Sequence, residues 1–164
     1  MCEIQYSRYS DLDDKVILKA SSLGMPLIGG TALEFLAYHT NHISGRVRSD
    51  NDLDFITNSE WLKDEFQLWL KMNIDPVLVQ VDVMLVKSHV IPKELVIDIK
   101  GILVMGPEYI IWSKLQRFSL QDIKDIKWLL SIVTAENLEV WLQHMGITAI
   151  EVERINSIIK QVYG

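Results

Sequence analysis

Apolar residues recur along this chain with two different periods, and the change of period divides it. Leu12, Val16, Ile17, Ala20 and Leu23 share one helical face, Ser10 and Asp13 have capping-box spacing, and Gly24 offers a stop, which predicts a helix over 11–23. Met25 to Ile28 is a short apolar run ended by Gly29-Gly30 and reads as a buried strand. A second helix is predicted to open at Thr31, with Ala32, Leu33, Phe35 and Leu36 inward, and to fade into a polar loop over 38–45. Asn51 to Ile56 reads as a strand, and Ser59 as the cap of a helix whose Trp61, Leu62, Phe66, Trp69 and Leu70 face inward. Asp75-Pro76 marks a turn. Beyond it Val77, Val79, Val81, Val83 and Leu85 alternate with Leu78, Gln80, Asp82, Met84 and Val86, the pattern of one long strand. Leu95 to Lys100 and Ile102 to Met105 then read as a hairpin about Lys100-Gly101.

After Gly106 the period is helical throughout. Pro107 suits a first helical turn, and Tyr109, Ile110, Ile111, Leu115 and Phe118 form an apolar face. Ser119 with Asp122, and Thr148 with Glu151, have capping-box spacing, and Gly146 closes the helix expected between them. Strands in the middle with helices on either side predict an α+β (mixed α/β) fold. A small mixed sheet flanked by helices is expected over 1–106, with a C-terminal helical region packed on it over 107–164.

Composition narrows the function without naming it. With 164 residues, 49% of them hydrophobic, the chain can bury one core plus a small helical appendage. A net charge of −6 sets the whole-molecule field against nucleic acid unless a local basic patch overrides it. The single cysteine, Cys2, excludes an intramolecular disulfide framework and a cysteine-based metal site. No apolar run reaches the roughly eighteen residues of a membrane span, and the N-terminal residues lack a basic-then-apolar pattern, so a cytoplasmic, non-membrane protein is expected.

The candidate chemistry lies in two stretches. Gly29-Gly30-Thr31 joins a strand to a helix, where glycines let backbone N–H groups approach a phosphate and the helix presents its positive end. Asp52-Leu53-Asp54-Phe55 follows, and residues i and i+2 of a strand share a face, so Asp52 and Asp54 can share a cation. Asp82, the only charge in its alternating run, is the expected third carboxylate. Hard oxygen donors without a His or Cys cluster favour Mg²⁺ or Mn²⁺. Phosphate cradle and metal-binding acids together point to phosphoryl or nucleotidyl transfer, with Asp82 helping to deprotonate an attacking hydroxyl.

Ile28-Gly29-Gly30-Thr31-Ala32-Leu33, then Arg48-x-x-x-Asp52-Leu53-Asp54-Phe55, then Val81-Asp82-Val83, resembles the signature of the DNA polymerase beta-like nucleotidyltransferase superfamily, especially its AbiEii-type toxin branch and related small bacterial transferases. The likeness runs through 26–130 and includes Glu108 to Leu115 with Asp122 and Asp125 downstream. It implies an NTP donor, catalytic and metal roles for Asp52, Asp54 and Asp82, and nucleotide contacts from Gly29, Gly30, Thr31 and Lys114. Asp50 departs from the pattern, standing where Ser or Thr is usual, and the spacing from Gly30 to Asp52 is long.

Blander readings stand beside these. Asp98 is an alternative third carboxylate, and Arg48 either holds phosphate or pairs with an acid. Lys114 and Arg117 lie i, i+3, so both can point at one anion, although such pairs are commonly solvated surface. Asp122 and Asp125 read most simply as a cap and a polar face. His39 and His42 read as solvated loop residues, and the tryptophans as core, with Trp112 the one nearest Lys114. The acceptor is a tRNA or protein hydroxyl in a toxin-like enzyme and an aminoglycoside or lincosamide in a resistance-like one. A non-catalytic binding module acting through a cognate protein partner, with 39–49 as its contact, is the alternative from another class.

Overall fold

The computed structural model describes residues 11–41 and 52–163, which fall in two compact units spanning 1–105 and 106–164. The fold is mixed α+β, with one five-stranded sheet, and the sheet lies wholly in the first unit.

That unit runs α1 (Asp11–Ser22), β1 (Leu27–Ile28), α2 (Gly29–Thr40), β2 (Leu53–Thr57), α3 (Glu60–Asn73), β3 (Val81–Leu85), a 3₁₀ turn (Lys93–Leu95), β4 (Val96–Ile99) and β5 (Ile102–Met105). The strand order is β3-β2-β1-β5-β4. Two-residue β1 sits at the centre, antiparallel to β2 and parallel to β5. β2 and β3 are parallel, joined through α3, while β4 and β5 form an antiparallel hairpin. Its turn residues Lys100 and Gly101 both have positive φ, 54° and 88°, the backbone that suits a two-residue hairpin. The core gathers Val16, Ile17, Leu27, Leu33, Phe35, Leu36, Leu53, Phe55 and Phe66, with Phe55 and Phe66 meeting edge to face.

Three boundaries and one helix face differ from the sequence pattern. The helix expected at Thr31 begins at Gly29, because Gly29 at φ +76° makes the whole change of direction after β1. It continues to Thr40 through the stretch expected as loop; Thr40 Oγ1 donates to Leu36 O at 2.7 Å, and Asn41 ends the helix in the left-handed region. β3 covers only 81–85. Residues 75–79 turn instead, with Val77 N donating to Asp75 Oδ1, and Val77 and Leu78 are exposed. On α3 only Phe66 is buried, and Trp61, expected to face inward, is 70% exposed.

The second unit is helical: α4 (Pro107–Arg117), α5 (Leu120–Leu129), α6 (Ala135–Met145) and α7 (Ala149–Tyr163), with α5, α6 and α7 each packing on α4. One helix was expected between Ser119 and Gly146, but the chain breaks over 130–134 and Thr134 caps a new start, its Oγ1 accepting from Asn137 N. Of the three capping-box spacings, Ser119 with Asp122 and Thr148 with Glu151 form, and Ser10 of the third lies outside the described residues. Of the tryptophans, Trp112 is core, with Nε1 donating to Gly146 O at 2.9 Å. Among the described residues no helix is long and apolar enough to cross a membrane.

Candidate active site

β1 is short because its job in the sheet is done in two residues. Leu27 pairs with Phe55 and Ile28 with Asp54, after which Gly29 turns the chain directly into α2. The Asp54 carboxylate packs against that turn. A Cβ at Gly29 would stand 2.7 Å from Asp54 Oδ2, so at this position both the backbone angle and the neighbour demand glycine. Thr31, buried in the first turn of α2, donates from Oγ1 to the Asp52 carbonyl at 3.2 Å and ties the helix start to the beginning of β2. The glycine turn and the Asp52-x-Asp54 segment, separate in sequence, are therefore one structural unit. Ile28, the N-cap of α2, supplies no side-chain cap, and the helix dipole favours a negative group at this end.

Asp82 joins them from the next strand. Asp54 and Asp82 are register partners on parallel β2 and β3, and Leu53 N donating to Gln80 O fixes that register at the strand start. Paired residues of neighbouring strands project to the same face, so the two carboxylates stand side by side. Asp54 is half-buried and Asp82 exposed, as is Met84, two residues along the same face. Among the described residues β3 is an edge strand, paired on one side only, by β2.

A carboxylate near a helix N-terminus needs no ligand to explain it, and Asp54 alone carries little weight. Asp82 changes that. Like charges placed directly across neighbouring strands repel, and a cation beside them would lessen that repulsion. Mg²⁺ is commonly held by one or two carboxylates, with water and substrate phosphates completing its shell, so the donors present fit such an ion in kind and in number. Among the described residues no group of three or more His, Cys, Asp or Glu side chains is gathered as a metal site. The geometry thus establishes an adjacent pair, Asp54 and Asp82, with Asp52 two residues upstream of Asp54.

The remaining candidates separate. Asp98 lies on β4, at the opposite edge of the sheet from Asp82, and its Oδ1 accepts from Gly101 N at 2.7 Å within the hairpin turn. Arg48, His42 and Asp50, like most of the polar stretch 39–49, lie outside the described residues. His39 is exposed in the last turn of α2.

Lys114 belongs to a different arrangement, in the helical unit. Its Nζ lies 3.1 Å from Asp122 Oδ1 and 2.8 Å from Asp125 Oδ2, and all three side chains are at least nine-tenths buried. Arg117 Nη2 reaches the same Asp122 oxygen at 3.3 Å. The single anion at which Lys114 and Arg117 can both point is thus a carboxylate of the protein itself. The surface reading of Lys114 and the polar-face reading of Asp122 and Asp125 are corrected: α5 turns both acids inward onto α4. Burial pushes the Asp122 carboxyl up, and hydrogen bonds from Ser119 and Lys114, with the Lys114 charge, more than reverse this and hold it below its ordinary value.

Two polar anchors had no sequence signal. Arg154 Nη1 donates to the Leu115 and Gln116 carbonyls at 2.7 and 3.2 Å, capping the end of α4, and its guanidinium lies over the Phe118 ring. Asn58 holds the connection after β3, donating to Val86 O and His89 O and accepting from Ile91 N. No protein-family model, curated protein or solved structure matches this chain.

Proposed function

We propose that the chain is a Mg²⁺-dependent nucleotidyltransferase that moves a nucleoside monophosphate from an NTP to a hydroxyl acceptor and releases pyrophosphate. The observation that supports this best is the Asp54–Asp82 register pair beside the Gly29 turn: two adjacent carboxylates and a Cβ-free helix start occupy one place. Asp52, Asp54 and Asp82 would hold Mg²⁺ or Mn²⁺, which supplies positive charge against the phosphates. The N–H groups at Gly29, Gly30 and Thr31 bind phosphate oxygens. Asp82, exposed on β3, takes the proton of the attacking hydroxyl as its oxygen bonds to the α-phosphorus and the bond to the departing pyrophosphate breaks. Arg48 is assigned to phosphate on the family resemblance. Lys114 is assigned likewise, on the resemblance alone; in the helical unit its ammonium is buried against Asp122 and Asp125.

An acidic chain acting in the cytoplasm fits a small-molecule or protein acceptor better than tRNA. Calorimetry with each NTP in the presence and absence of Mg²⁺ tests the donor site, and labelled-nucleotide transfer across acceptors tests turnover. Mg²⁺-dependent binding that disappears in Asp54→Ala/Asp82→Ala is expected. Absence of any Mg²⁺-dependent NTP binding in the unaltered protein would overturn the reading in favour of a binding module. Growth arrest on expression marks a toxin-like acceptor, and raised antibiotic tolerance a resistance-like one.

A further inference from the structure

The helical unit contains a cavity of about 520 Å³, in the size range of small-molecule sites. Its floor is Leu138 and Leu142 of α6 with Ile155 of α7 and Leu130 from the break after α5, all buried. The lining positions follow helical spacing on both long helices, 135, 138, 139, 142 and 143 on α6 and 152, 155, 156 and 159 on α7, so each turns one face into the space between them. Tyr163 also lines it, its hydroxyl donating to Leu130 O at 3.3 Å. Polar groups are few, namely Glu139, Gln143, Asn156 and Tyr163, and no Lys, Arg or His lines it.

We propose that this cavity is a binding site for a small amphipathic molecule with an apolar body and an uncharged or cationic hydrogen-bond donor at one end. Leu130, Leu138, Leu142 and Ile155 take the body, and the Glu139 carboxylate at the rim takes the donor. Charge selects the class: the lining holds one acid and no base, so a fatty acid or other anionic amphiphile would meet a carboxylate with nothing to neutralise it. The floor is already buried, and the apolar lining that stays open to water is at the rim, where Val152 is 39% exposed; an alkyl chain seated over the floor would cover it. The site is separate from the proposed nucleotidyl transfer and stands or falls without it.

Decylamine, decanol and decanoate, which share one chain length and differ in head charge, test this by calorimetry on the full chain below their aggregation concentrations. One-to-one binding of the amine and the alcohol is expected, with the amine favoured over decanoate by about threefold or more, the scale of a partly exposed charge pair. Glu139→Gln should bring the amine and the alcohol level. Ile159→Trp, which fills the space, should abolish all binding, and Ala135→Trp at the exposed rim provides a second block if the first variant fails to fold by circular dichroism. Failure of all three probes to saturate, preference for decanoate, or binding unchanged in both tryptophan variants overturns the proposal. A concentration-dependent dimer that Ala135→Trp disperses would also overturn it, showing that a second copy fills the space.

Discussion

Lys114 and Asp125 form a buried ion pair, Nζ to Oδ2 2.8 Å, that bridges α4 and α5. Because Lys114 also meets Asp122, one cation serves two carboxylates that are almost wholly buried. Removing it leaves both acids without that cation, and Arg117, two-thirds exposed, replaces only part of one contact. Lys114→Met keeps the aliphatic volume and should cost about 3–5 kcal/mol in urea unfolding, the scale for breaking a buried pair from one side. A loss within a few tenths of a kcal/mol would mean that the acids are neutral or re-solvated in the folded state.

The same cluster sets an acid limit. Asp122 has its folded pKa below the ordinary 3.8, so its contribution to stability is full above the unfolded value and is lost as pH falls through the folded one. Urea midpoints measured from pH 6 downward should therefore drop below about pH 4. Asp122→Asn, less stable at pH 6 for loss of the Lys114 charge contact and part of the cap, should show a flatter acid limb. An unchanged slope would assign acid sensitivity to other carboxylates.

The register of Asp54 with Asp82 separates two candidates for the carboxylate opposite Asp54. Asp82→Asn should weaken Mg²⁺-dependent NTP binding about tenfold or more, equivalent to about 1.4 kcal/mol. Asp98→Asn, at the far edge and engaged with Gly101 N, should leave binding unchanged and alter stability only slightly. Calorimetry on the two variants beside the unaltered protein gives the answer. Equal losses would break the link between register and binding.

Local signals made much of this legible in the sequence. The capping boxes at Ser119 and Thr148, the Lys100-Gly101 hairpin and the glycine turn after β1 each rest on residues a few positions apart, and all are present. Features that depend on distant partners were not legible. The alternation through Val77 and Leu78 promised a longer strand, but an edge strand is held from one side only, and the Asp75 turn takes its beginning. The break over 130–134 has neither Gly nor Pro, so only the Thr134 cap marks it. Lys114 with Arg117 at i, i+3 looks like ordinary surface until α5 folds its acids over the lysine. At the candidate site, the spacing of Asp52 and Asp54 was visible, whereas the carboxylate against Gly29 is a product of strand pairing.

That carboxylate gives the sharpest test of the site's geometry. Gly29 and Gly101 both have positive φ, +76° and +88°, but a Cβ at Gly101 would meet nothing within 4 Å while one at Gly29 would meet Asp54 Oδ2 at 2.7 Å. Gly101→Ala should thus carry only the backbone cost, about 1–2 kcal/mol. Gly29→Ala should cost more, because strand β2 holds Asp54 in place through its pairing with Ile28 and Asp82. In an Asp54→Ala background the excess should vanish and the two glycine substitutions should cost alike, a coupling that a double-mutant cycle in urea measures directly. Equal costs in the unaltered background would mean that the carboxylate swings away freely, and the close union of glycine turn and acid pair on which the proposed site rests would be lost.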